Sequence, residues 1–74
     1  MQLNELSYLQ TIAQQHSISA AAVKLNLSQQ RLSRIVQNIE EELKFKIFIR
    51  SKKGVTLTKE GVQFMKHLQN MMSS

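Results

Sequence analysis

At 74 residues the chain makes one small domain, burying only roughly 60% of the surface its unfolded form exposes, so a deep catalytic cleft is not expected. Cysteine and aspartate are both missing, which excludes a disulfide framework, a thiolate metal site and any triad built on Asp or Cys. Ten basic residues against five acidic give a net charge of +5, which favours polyanionic partners such as nucleic acid or acidic lipid.

That charge is localised. Before Lys24 there is no Lys or Arg, whereas Lys24, Arg31, Arg34, Lys44, Lys46, Arg50, Lys52 and Lys53 crowd the next thirty positions. The N-terminus has neither a basic n-region nor an apolar core, and no stretch of about 18 apolar residues occurs, so a cytoplasmic chain outside the membrane is expected.

Proline is absent and the only glycines are Gly54 and Gly61, so helix can run with few interruptions. Leu3, Leu6, Leu9, Ile12 and Ala13 recur at helical spacing and predict a first helix from residue 3 to about 13. Ser17 or Ser19 can cap a second helix, in which Ala20, Ala21 and Ala22 supply propensity and which ends near Leu25. Asn26 tolerates the left-handed backbone of a tight turn, and Ser28 offers the next cap.

In the third helix Leu32, Ile35, Val36, Ile39 and Leu43 gather in one stripe, opposite Gln30, Ser33, Arg34, Gln37 and Asn38. Glu40, Glu41 and Glu42 close it with charge that opposes the helix dipole and read as a solvated turn. Two β-prone runs, residues 46–50 and 55–57, flank Ser51, Lys52, Lys53 and Gly54 and predict a hairpin. Thr58 suits the cap of a fourth helix, on which Gly61, Phe64, Met65, Leu68, Met71 and Met72 share one side.

The stretch from Ile18 to Ile35 meets the needs of a helix-turn-helix: small Ala21 and Ala22 at the crossing, Asn26 in the turn, and Leu25, Leu27, Leu32 and Ile35 for a shared core. Almost the whole chain resembles the N-terminal DNA-binding domain of the LysR-type transcriptional regulators. The resemblance is carried by the opening helix, Ser17 with Ala21-Ala22, Leu25, Ser28-Gln29, Leu32-Ser33-Arg34, Ile39-Glu40, Leu43, Phe48, Arg50, Leu57-Thr58 and Gly61.

It implies a mainly α fold with a small β-hairpin, a winged helix-turn-helix over residues 1–58, and the start of a linker and dimerisation helix over 59–74. It also implies a transcriptional regulator that binds double-stranded promoter or operator DNA as a homodimer, with no cofactor, no metal and no effector molecule bound within this stretch. The chain departs from the family's habit at Gln30 (usually proline), Lys44 (glycine), Ile18 (phenylalanine) and Ile49 (an acid). An amide at Gln30 can donate and accept at a base edge, and Lys44 adds charge near a phosphate.

Within that frame Gln29, Gln30 and Ser33, with Gln37 further along, are the candidate base readers, since side chains early in a recognition helix reach base edges. Ser28, Arg31, Arg34 and Arg50 are the candidate backbone contacts, Arg34 by the family's pattern and for its bidentate fork. For Arg31 the alternative is a pairing with glutamates a turn onward, and for Arg50 a structural ion pair. Lys52 and Lys53 at the hairpin tip suit a phosphate or the minor groove, the alternative being a merely soluble turn. Leu68, Met71 and Met72 are expected to meet a helix of a second subunit, while Phe64 and Met65 pack within the chain.

An enzyme is not expected: only His16 and His67 are available as histidines, and there is no glycine-rich phosphate loop. The rival from another class is a winged-helix protein-interaction module that uses the fourth-helix stripe. Membrane-surface binding needs a basic amphipathic helix, whereas the cations here span helix, hairpin and turn.

Overall fold

The caps foreseen in the sequence set the starts of the second, third and fourth helices, while the first starts after Gln2. The computed structural model describes the backbone of residues 2–72 and the side chains of residues 2–71. Helix α1 (Leu3–Gln15) buries Leu9 and Ile12 completely, each worth about 1.5–3 kcal/mol of transfer free energy. Leu3, counted on the same face, is 78% exposed instead, because at the first helical residue it lies beyond the end of the core.

Of the two serines that could cap α2 (Ile18–Leu25), Ser17 does so, its Oγ accepting from Ala20 N at 3.1 Å. Ala21 and Ala22 are buried, leaving room for neighbouring backbones to approach, and Ile18 fills a core position beside them. The helix closes on Asn26 in the left-handed region (φ 61°, ψ 41°), and Leu27 N–H returns to Ala22 O at 2.9 Å. Two residues on, Ser28 Oγ accepts from Arg31 N at 3.1 Å and starts α3 (Gln29–Leu43).

Helix α3 buries Leu32, Val36 and Ile39, with Ile35 and Leu43 half-buried against them. The acidic run at its end departs from the expected solvated turn. Glu40 is 8% exposed, and its Oε2 accepts from the backbone amides of Ile47 at 2.7 Å and Phe48 at 3.2 Å. Those amides lead into the first strand and would otherwise be orphaned in the core, so the carboxylate is held inward; Glu41 and Glu42 stay exposed.

Strands β1 (Phe48–Ser51) and β2 (Gly54–Leu57) pair antiparallel, with Phe48 opposite Leu57 and Arg50 opposite Val55. Phe48 and Val55 turn into the core. The hairpin docks on the α1–α2 turn through Val55 N–H to His16 O at 2.9 Å. Gly54 makes that approach possible: its φ is +121°, and a Cβ there would stand 2.6 Å from His16 O.

Helix α4 (Lys59–Met72) starts at Thr58, whose Oγ1 accepts from Gly61 N at 2.9 Å and donates to Lys46 O. A Cβ on Gly61 would collide with the Ile47 carbonyl, so the absence of a side chain lets α4 press onto the α3–β1 connection. Phe64 meets Phe45 edge-on, with ring centroids 5.8 Å apart, a favoured aromatic geometry. The result is the expected mainly helical architecture with a two-stranded wing: three core helices, the hairpin and a C-terminal helix.

Candidate nucleic-acid interface

Because the apolar stripe of α3 faces the core, its polar residues face outward by helical geometry alone. Gln29, Gln30, Arg31, Arg34 and Gln37 are exposed and Ser33 is half-buried. Gln29, Gln30, Ser33, Arg34 and Gln37 together line one shallow depression, while Ser28, Gln30, Arg31 and Arg34 line a second beside it. All four candidate readers thus share one surface with Arg34.

The Ser28 hydroxyl oxygen is taken up by the helix cap, where it accepts from Arg31 N. Among the described residues Arg31 makes no ion pair, so the glutamate pairing is not formed.

The wing joins this surface through Arg50. Its Nη2 donates to Ser33 Oγ at 3.0 Å, across 17 positions of sequence. Among the described residues Arg50 makes no ion pair, and the bond to Ser33 occupies one N–H of an exposed guanidinium whose other donors remain available. Lys52 and Lys53 are exposed in the two-residue turn, which Ser51 stiffens by accepting from Lys53 N at 3.3 Å and donating to Gly54 O at 3.2 Å.

A further depression between α2 and the wing is lined by Ser19, Gln29, Arg50 and Ser51, among others. Ser19 was not among the sequence candidates. Its signal was there: once Ser17 takes the cap, Ser19 is a spare first-turn hydroxyl, and it is exposed.

The dimerisation candidates separate. Leu68 is 4% exposed in a single chain, since its spacing from Gly61 and Phe64 puts it on the inward side of α4, so it offers no surface to a second subunit. Met71 is 61% exposed, and the Met72 side chain lies outside the described ones. Among the described residues no three metal-ligating side chains cluster, and no helix is long and apolar enough to cross a membrane.

Residues 3–62 match the family described as bacterial regulatory helix-turn-helix protein, lysR family. The chain belongs to the lysR family. Among its relatives, the HTH-type transcriptional regulator BsdA of Bacillus subtilis is 41% identical over 73 residues, covering 97% of this chain and 25% of BsdA. The HTH-type transcriptional regulator CzcR of Bacillus cereus is 36% identical over 72 residues, covering 97% of this chain and 25% of CzcR. The chain therefore spans about a quarter of the length of these lysR-family relatives.

Two solved structures share the fold closely. The BenM DBD bound to catB site 1 DNA superposes with a TM-score of 0.90 at 36% identity, covering 99% of this chain and 78% of that one. The CbnR DBD–DNA complex gives 0.89 at 29% identity, covering 99% of this chain and 84% of that one. The lysR-family assignment and the winged helix-turn-helix architecture thus agree.

Proposed function

We propose that this chain binds double-stranded promoter DNA in a sequence-dependent way as the reading head of a transcriptional regulator, with α3 in the major groove and the wing along the backbone. The observation that carries this is the single outward surface on which Gln29, Gln30, Ser33, Gln37 and Arg34 lie together, joined to the wing by the Arg50–Ser33 hydrogen bond. The amides and the hydroxyl suit base edges, and the guanidinium of Arg34 suits phosphate. Two of the structurally similar proteins were solved as DNA complexes, which supports the reading.

Arg34→Ala is expected to abolish DNA binding measured by fluorescence anisotropy while the circular dichroism spectrum stays native. Full binding by that variant would favour a protein-interaction module instead. If about four cations among Arg31, Arg34, Arg50, Lys52 and Lys53 each neutralise a phosphate, log affinity falls with log salt at a slope of about −3.6. A slope near zero would remove the electrostatic part of the proposal.

The operating form is a homodimer in the cytoplasm, built through the far end of α4, where Met71 is exposed. Twofold symmetry in the protein then requires two half-sites in the operator. A chain that sediments only as a monomer at low micromolar concentration would overturn the dimer.

A further inference from the structure

A serine hydroxyl on a recognition helix can meet a base edge as donor or as acceptor, and so by itself selects little. In this chain the choice is constrained. Arg50 Nη2 lies 3.0 Å from Ser33 Oγ, and a guanidinium carries only donors, so Ser33 must be the acceptor in that bond. The positive charge beside the oxygen also turns the serine O–H away from Arg50.

A local carbonyl is the usual competitor for such a proton. Ser7 and Thr11 on α1 donate theirs to Asn4 O at 2.8 Å and Ser7 O at 3.0 Å. Ser33 Oγ donates to no carbonyl among the described residues. With Arg50 on one side and no carbonyl taking it, the proton is left for an acceptor that enters the depression Ser33 lines with Gln29, Gln30, Arg34 and Gln37. Arg50 is itself held from behind, since its β2 partner Val55 is bonded through its amide to His16 O.

We propose that Arg50 is a positioning residue that fixes Ser33 as a hydrogen-bond donor, so that α3 selects an acceptor-bearing base and discriminates against cytosine at the position Ser33 faces. In the major groove guanine offers O6 and N7, thymine O4, and adenine N7 beside its amino group, whereas cytosine offers only the N4 donor. The inference rests on α3 reading DNA, and it gives the wing a part in sequence choice beyond its charge.

The test is selection of bound duplexes from a randomised pool by the wild-type chain, Ser33→Ala, Arg50→Met, Arg50→Lys and the Ser33→Ala/Arg50→Met double variant. Wild type is expected to disfavour cytosine at one position by about fivefold, the size of one net hydrogen bond. That bias disappears in Ser33→Ala and in Arg50→Met, falls no further in the double variant, and returns in Arg50→Lys, which keeps a donor. Arg50→Met also weakens binding to all sequences by a similar factor, through its lost charge.

An Arg50→Met chain that binds all sequences more weakly yet keeps the cytosine bias makes Arg50 a phosphate contact only and overturns the proposal. Arg50→Ala serves for the same comparison should Arg50→Met fail to fold by circular dichroism. A wild-type chain that enriches no sequence overturns the DNA-reading role of α3 itself, whereas one that enriches a sequence indifferent to Arg50 overturns only this role.

Discussion

The two turns that flank α3 do the same geometric task by different means. The first, residues 26–28, is held by neighbours: Asn26 adopts the left-handed conformation, Leu27 bonds back to Ala22, and Ser28 caps the next helix. The second, residues 44–47, is held from a distance. Glu40 reaches forward to the amides of Ile47 and Phe48, Thr58 bonds the Lys46 carbonyl, and Gly61 admits the Ile47 carbonyl. The first turn thus makes the helix-turn-helix a locally specified unit, while the second couples the end of α3, the wing and α4 into one body. Any base-reading role shared between α3 and the wing depends on the second.

Breaking the distal clamp should cost most. Glu40→Ala strips two buried amides of a charged acceptor and is expected to destabilise the domain by about 3 kcal/mol, read from urea unfolding. Glu40→Gln, which keeps one acceptor oxygen, should recover part of that loss. A Glu40→Ala chain as stable as wild type would mean that the amides find water and that the second turn needs no clamp. Gly61→Ala comes next, at about 2 kcal/mol, because the new methyl group must push α4 away from the Ile47 carbonyl. Its unfolding midpoint in urea is the measurement, and an unchanged midpoint would show that α4 can slide without cost.

The same contrast explains what the sequence made legible. Ser17, Ser28, Asn26 and Thr58 announce themselves because a cap or a left-handed residue acts within four positions of its own place. The outward face of α3 follows from period and needs no tertiary knowledge. Glu40 was hidden because its partners lie seven and eight residues on: helical period sets it beside Val36 and Leu43, apart from Glu41 and Glu42, but does not say what a carboxylate there would bind. The Arg50–Ser33 bond was hidden for the same reason, since it depends on where the hairpin docks. Leu68 was misplaced because helical spacing puts a residue on a face but cannot say where along a helix that face ceases to be covered.

On the local side, Ser28→Ala removes one capping bond and should cost about 1 kcal/mol in thermal unfolding. A loss as large as that of Glu40→Ala would erase the distinction between the two turns.

The smallest effect sharpens the comparison most, because both turns place a non-glycine residue in the left-handed region: Asn26 at φ 61° and Lys44 at φ 68°. Asn tolerates that conformation, whereas a lysine Cβ is crowded there by about 1–2 kcal/mol. Glycine relieves the crowding but gives back roughly 0.5–1 kcal/mol in unfolded-state entropy. Lys44→Gly is therefore expected to stabilise the domain by about 0.5 kcal/mol and raise its melting temperature by about 3 °C. The equivalent Asn26→Gly should gain less, since Asn carries less strain to relieve. Binding reads the other half of the substitution: the lost cation should make the salt slope shallower by about 0.9 if Lys44 meets a phosphate. A lower melting temperature in Lys44→Gly would place the strain elsewhere and make the lysine stem, which lines one depression with Gln37 and Phe45, a support for the second turn.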